Sequence, residues 1–155
     1  MHSRIFQVSE KPIKEENLIK EYQYYEWEHA DYVSQIETNE GITEDLKWLQ
    51  TATKGIEVDL EARTIKITSK KEYFEEKLEK FRELAEKLST TTQEEFISPK
   101  SYTDFSTLED LYNDKYGFYI DDNNEYCGLT TLDNWVRYSE ENKTYHVGNI
   151  FDYHF

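Results

Sequence analysis

The clearest hydrophobic pattern lies between Ser69 and Leu88, where apolar residues recur every three or four positions and glutamates fill the opposite side. Such spacing is typical of an amphipathic helix with one buried face. Ser69 and Glu72 form a capping box, so we predict a helix over Lys70–Leu88. We expect its apolar arc to pack on the sheet of its own domain, while Lys77 extends its ammonium outward to water. The arc consists of Tyr73, Phe74, Leu78, Phe81, Leu84, Ala85 and Leu88.

Alternating apolar and polar residues predict strands near both ends of the chain. Arg4–Val8 is one strand, Ile56–Leu60 and Thr64–Ile67 form a hairpin, and Phe118–Ile120 is a further strand. A second hairpin is predicted at the end of the chain, with Gly148-Asn149 as its turn pair. Its two strands are Thr144–Val147 and Ile150–Tyr153.

Shorter helical patterns fill the middle of the chain, several of them opening with a Ser or Thr that can cap a helix. We predict a mainly helical segment over Glu15–Gln35, and helices from Thr43 through Leu49, from Thr92 to Pro99 and from Ser106 to Gly117; Leu132–Tyr138 fits either a helix or a strand. Strands at both ends with helices between them favour an α+β fold. The prediction is a single domain over residues 1–155, with an antiparallel or mixed sheet packed against several helices.

The composition adds a strong negative charge to this picture. The chain has 155 residues, a formal net charge of −15 and 15% aromatic residues, which argues against disorder because disordered acidic chains lack core-forming residues. Residues 101–155 carry 11 acidic and three basic residues. We expect no binding to nucleic acid or to an anionic membrane, since both would repel such a chain. A protein with a basic surface is the favoured partner.

Cysteine content and hydropathy indicate a reducing, aqueous compartment. Cys127 is the single cysteine, so no disulfide can form within the chain. No apolar run near Met1 suits a signal peptide, and none approaches the roughly 20 residues needed to span a bilayer. We therefore expect a cytoplasmic protein.

Two groups of residues are candidates for a binding surface. The first is a dense aromatic cluster that includes Tyr24, Tyr25 and Trp27, because Tyr and Trp are favoured at protein interfaces. The alternative is that these side chains pack at the edge of the core. The second is an acidic turn that includes Asp121, Asp122 and Glu125. It does not fit a calcium loop, whose sixth position needs Gly and whose twelfth needs Glu, so a solvated turn is the better interpretation.

His146, Asp152 and His154 are the most metal-like group in the sequence. Asp152 and His154 are two apart and would share a face of a strand, while His146 could approach across the predicted hairpin. Solvent-exposed polar positions on a terminal strand explain the same spacing. Cys127 lacks a CxxC partner and is interpreted as a small core thiol. We predict no cofactor.

The two ends of the chain resemble a known group of proteins. Met1–Ser9 and Gly148–Phe155, together with Tyr73–Lys77 and Thr131–Arg137, are similar to a family of small, acidic, functionally uncharacterised bacterial proteins of the Firmicutes. The resemblance covers nearly the whole chain and implies a bacterial cytoplasmic protein. It brings no activity and no site residues with it.

These observations favour a non-enzymatic protein-interaction module that binds a basic protein surface, with mimicry of a nucleic acid as a variant. The alternative is a metal-assisted hydrolase that uses His146, Asp152 and His154. Homodimerisation through the aromatic cluster is compatible with either hypothesis. An enzyme is the less favoured class because no catalytic motif is present.

Overall fold

The computed structural model describes residues 2–28, 30–114, 116–122 and 128–154. In these residues a seven-stranded mixed sheet packs against helices, which confirms the predicted α+β fold. The strands are β1 (His2–Ser9), β2 (Tyr32–Gln35), β3 (Ile56–Asp59), β4 (Thr64–Ile67), β5 (Tyr119–Asp121), β6 (Leu129–Thr131) and β7 (Thr144–His154). The α-helices are α1 (Asn39–Ala52), α2 (Lys70–Ser89), α3 (Gln93–Phe96), α4 (Pro99–Asn113) and α5 (Leu132–Tyr138).

Strand β7 organises the sheet, whose order is β3-β4-β7-β1-β5-β6 with β2 also paired to β7. One edge of β7 pairs with β1, and its other edge pairs first with β4 and then with β2. All pairings are antiparallel except that of β1 with β5. The first and last described strands therefore lie side by side in the centre of the molecule.

The predicted closing hairpin is wrong, because Gly148 and Asn149 form a bulge within one continuous strand. The register between β1 and β7 shifts here, so that these two residues lie opposite the single residue Gln7. The buried Gln7 side chain accepts hydrogen bonds from the backbone N–H groups of Asn149 and Ile19, each at 3.2 Å. It also donates to the backbone oxygen of Asn17 at 2.8 Å. The Gln7 side chain of β1 thus provides the hydrogen-bond acceptor for the Asn149 N–H at the bulge, and β7 continues without a turn.

The sheet has a core on each face. The first core lies between the sheet and α1, α5 and the start of α2, and includes Phe6, Leu46, Leu49, Ile65, Ile67, Trp135, Val136 and Ile150. The second core lies on the opposite face and includes Ile5, Ile19, Tyr24, Tyr119, Phe151 and Tyr153. The predicted helical segment over Glu15–Gln35 is wrong for most of its length. Its described residues contain two 3-10 turns, Glu15–Asn17 and Glu21–Tyr24, before β2.

The predicted starts of α2 and α3 agree with the structure, because Ser69 and Thr92 are their N-caps. Ser69 accepts a hydrogen bond from the Glu72 N–H, and Thr92 with Glu95 forms a complete capping box. Helix α1 begins earlier than predicted because Thr38, rather than Thr43, is its cap. The β3–β4 hairpin and strand β1 are confirmed. Leu132–Tyr138, for which the sequence fitted either a helix or a strand, is the helix α5.

Pro99 and Ser106 both belong to α4, whereas the sequence predicted a helix boundary at each of them. The predicted short helix that Thr92 opens ends at Phe96, before Pro99. Pro99 is also the first residue of α4, since proline is well suited to the first helical position, where its missing N–H needs no partner. Ser106 lies inside that helix and caps nothing at its start. The helix ends before Gly117, where Asp114 adopts a left-handed conformation with φ of 36°.

Replacing Gly148 with Ala is expected to lower the free energy of unfolding by about 2 kcal/mol. The added Cβ would lie 2.4 Å from the Gln7 side-chain oxygen, and displacing that oxygen leaves the Ile19 and Asn149 N–H groups without an acceptor. Urea denaturation measures the change. A double variant that also carries Gln7→Ala should be no less stable than Gln7→Ala alone, because the clash is then gone. Additive effects would contradict this account.

Candidate functional site

The structure divides the predicted aromatic cluster between the core and the surface. Tyr24 is buried in the second core, and its hydroxyl donates to Asp121 Oδ2 at 3.0 Å. Burial and the Asp121 charge both raise the pKa of Tyr24. Trp27 packs edge-on against Tyr119, with ring centroids 5.0 Å apart. Tyr25 is 73% exposed and is the member of this trio that presents its ring to solvent.

Of the predicted acidic turn, the structure describes Asp121 and Asp122, which lie in different surroundings. Asp121 is buried at the end of β5, where it accepts from Tyr24. Asp122 lines a cleft of about 740 Å³ whose wall includes Lys11 and the exposed Tyr138. Glu125 and Cys127 lie outside the described residues.

His146 does not approach Asp152 and His154. Asp152 lies six positions further along the same strand, a distance of about 20 Å. Tyr145 and Val147 point into the first core, so His146 points to the opposite face of the sheet. Beyond the bulge the alternation is reversed. Phe151 and Tyr153 point into the second core, which places Asp152 and His154 on the first face.

Seven of the 13 large apolar side chains that are exposed among the described residues lie on α2, α3, α4 and the link between the last two helices, which together we name the helical arm. Of the predicted apolar arc on α2, only Tyr73 is buried, so the prediction that the whole arc packs on the sheet is wrong. Further along α2 the arc packs against α4 instead. Two helices alone cannot cover each other's apolar faces, and several large side chains of the arm stay exposed. These are Leu78, Phe81, Phe96, Ile97, Tyr102, Phe105 and Tyr112.

A cleft of about 460 Å³ runs between α2 and α4 on the arm, and we name it the aromatic groove. Its apolar lining consists of Phe81, Tyr102, Phe105, Leu108 and Tyr112. Phe96 of α3 extends the lining, since its ring meets that of Phe105 edge-on at 5.8 Å. Tyr102 is 76% exposed. The groove is therefore open to solvent along a row of aromatic rings.

The arm is anchored to the sheet domain by a buried polar cluster at the start of α2. Asp133 of α5 is 0% exposed and accepts from the Tyr73 hydroxyl at 2.8 Å and from Lys77 Nζ. Lys77 Nζ also donates to Asp114 Oδ2 at 3.0 Å. Burial, followed by the Asp133 charge, raises the pKa of Tyr73. The prediction that Lys77 extends outward is wrong, because a buried carboxylate offers it a stronger partner than water.

Arg137 of α5 adds a second attachment between the domain and the arm. Its guanidinium carbon lies 4.4 Å from the centroid of the Phe74 ring and 5.4 Å from that of Tyr112. Both rings belong to the arm, one on α2 and one on α4. Cation–π attraction at this spacing holds the two helices together at their base.

The groove residues on α4 were missed at the sequence level, although a signal for them exists. Tyr102, Phe105, Leu108 and Tyr112 recur every three or four residues, which is the helical period. The predicted boundaries at Pro99 and Ser106 divided these residues between two separate segments. With Pro99 at the first helical position, the same spacing predicts a second amphipathic helix.

Comparison with protein-family models, with curated proteins and with solved structures finds no match. The resemblance to a family of acidic bacterial proteins therefore stays a prediction. Among the described residues, no helix is long and apolar enough to cross a membrane. In that same part of the chain, no group of three or more His, Cys, Asp or Glu residues is placed to hold a metal ion.

Proposed function

We propose that this protein is a non-enzymatic interaction module whose aromatic groove binds an amphipathic helical segment of a basic protein. The exposed groove carries this proposal. Soluble proteins seldom leave contiguous large apolar side chains open to water unless a partner covers them. A cleft between two helices suits a third helix, whose apolar residues at positions i, i+3, i+4 and i+7 can enter it.

Charge indicates the kind of partner. Residues 70–114 carry 12 acidic and seven basic residues, within a chain of net charge −15. A partner with Lys and Arg flanking its apolar stripe would be attracted to this surface and oriented on it. A second copy of the chain would bring another acidic arm and be repelled. Nucleic acid is disfavoured for the same reason.

The same structure gives little support to the hydrolase alternative. The three residues proposed for a metal do not converge, because His146 lies on one face of the sheet and Asp152 and His154 lie on the other. Tyr24 and Trp27 pack in the second core, so the binding surface proposed for this protein is the helical arm.

Selection from a displayed library of random peptides tests the proposal. We expect enriched peptides to combine a helical apolar stripe with Lys and Arg, and their affinity to fall as salt rises. Tyr102→Ser should weaken such a peptide at least tenfold in fluorescence anisotropy, as for an aromatic hot spot. Tyr25→Ser is the matched control, because Tyr25 is equally exposed but lies away from the arm.

Two outcomes would overturn this function. Equal losses of affinity in Tyr102→Ser and Tyr25→Ser would show that the groove is not the binding surface. Enriched peptides without basic residues, or with no helical periodicity, would show that the partner class is wrong. Circular dichroism of both variants confirms that each retains its helices.

A further inference from the structure

His154 has a neighbouring imidazole that the sequence did not suggest. His2 of β1 lies directly opposite it in the β1–β7 register, and the two ring centroids are 5.0 Å apart. His2 Nδ1 is 2.9 Å from Asp152 Oδ2, and His154 Nδ1 is 2.8 Å from Asp31 Oδ1. The Nε2 atoms of both rings have no hydrogen-bond partner among the described residues.

Both histidines show a feature of metal-binding histidines, a contact between one ring nitrogen and a carboxylate. A histidine that binds a metal through one ring nitrogen almost always donates its other N–H to a carboxylate or a carbonyl, which sets the tautomer and turns the ring. One exposed His–Asp contact would be an ordinary surface ion pair. Here two neighbouring imidazoles, tilted by 58° to each other, each contact a carboxylate through Nδ1 and keep Nε2 outside that contact.

The carboxylates are themselves held in place, so the rings are oriented before any ion binds. Asp152 also accepts from Arg4, whose Nε lies 2.9 Å from Asp45 Oδ1. Asp31 is fixed next to His154 by a backbone hydrogen bond from its own N–H to the His154 carbonyl oxygen at 3.1 Å. The support comes from β1, β7, α1 and the segment before β2.

We propose that His2 and His154 together bind one divalent transition-metal ion of the class that prefers imidazole, such as Zn²⁺, Ni²⁺ or Cu²⁺. Water completes the coordination, since the described residues supply no group of three or more metal-ligating side chains. Asp31 and Asp152 act as positioning residues. The site lies on the sheet and is independent of the aromatic groove.

Isothermal titration of the untagged, chelator-treated chain with Zn²⁺ tests this site. We expect one ion per chain, and loss of binding in His2→Ala and in His154→Ala. His146→Ala is the matched control and should bind as the unmodified chain does, because His146 lies on the other face of the sheet. Asp31→Asn should weaken binding about 10- to 100-fold while both ligands remain.

The proposal fails if the unmodified chain takes up no Zn²⁺, or if His154→Ala binds it unchanged. It also fails if His146→Ala and His154→Ala lose affinity equally, which would indicate nonspecific binding to surface histidines. The imidazole NMR signals give an independent readout. Zn²⁺ should shift the Nε2 resonances of His2 and His154 and leave those of His146 in place.

Discussion

Replacing Lys77 with Met is expected to lower the free energy of unfolding by about 3 kcal/mol. The reason is the position of Asp133, which is fully buried and would be left, among the described residues, with the Tyr73 hydroxyl as its one side-chain donor. Removing one partner of a buried ion pair costs more than the pair itself contributes, because the remaining charge cannot reach water. Urea denaturation followed by circular dichroism measures the loss.

Two further variants separate this cause from a simple packing defect. Asp133→Asn should cost less than Lys77→Met, since Lys77 is partly exposed and keeps Asp114 as its partner. The double variant Lys77→Met with Asp133→Leu should be more stable than Lys77→Met alone, because no buried charge is left. If the double variant is the least stable of the three, the buried charge is not the cause.

Replacing Gly55 with Ala is expected to cost about 3 kcal/mol or more, combining backbone strain with a steric clash. Gly55 has a φ of +68°, and an added Cβ would lie 2.1 Å from the backbone oxygen of Ser69. Ser69 is the N-cap of α2, and its N–H donates to the Gly55 oxygen at 3.2 Å. The substitution therefore pushes the start of the helical arm away from the sheet. Thermal and urea denaturation measure the effect.

Gly55→Asn shows whether the backbone strain at positive φ or the steric clash with Ser69 contributes more to the loss of stability. Asparagine tolerates positive φ better than alanine does, but it carries the same Cβ. If the clash with Ser69 dominates, both variants lose similar stability. A clearly milder Gly55→Asn would mean that strain at φ is the larger cost and that the arm can shift to make room.

Lys77→Met and Gly55→Ala both alter the junction between the helical arm and the sheet domain. Their effect on the proposed binding can therefore be compared with their effect on stability. The aromatic groove lies beyond this junction. Six of its seven described lining residues belong to α4 itself, although one of them, Tyr112, also contacts Arg137 of α5. A loosened junction should therefore leave the groove itself formed. The affinity of the selected basic peptides in Lys77→Met, at temperatures where it stays folded, would show this directly.

The elements predicted correctly are those whose stabilising interactions are local. Helix α2 is specified by Ser69 and by a period repeated within 20 residues, and the β3–β4 hairpin by two short alternating runs close in the chain. The capping box joins Thr92 and Glu95, which are three positions apart. In each case the hydrogen-bonding partners are neighbours in sequence, so the residue pattern is sufficient.

The elements predicted wrongly depend on partners far away in the chain. Gly148-Asn149 fits a hairpin turn locally, but Gln7, 142 residues from Asn149, turns it into a bulge. That bulge also decides which face His146 occupies. Tyr32–Gln35 becomes a strand because β7 offers it an edge. A segment dense in aromatic residues has no clear period, so the surface that it packs against sets its conformation.

The candidate sites follow the same division. The sequence alone determined the acidic charge, the amphipathic character of α2 and the presence of Asp152 and His154 on one face of a strand, since these follow from composition and short-range spacing. Only the tertiary structure decided that α2 leaves most of its arc to α4 and solvent, that Lys77 turns inward to Asp133, and that His2 is the neighbour of His154. Periodicity shows that a face is apolar, but which element covers it depends on how the whole chain packs.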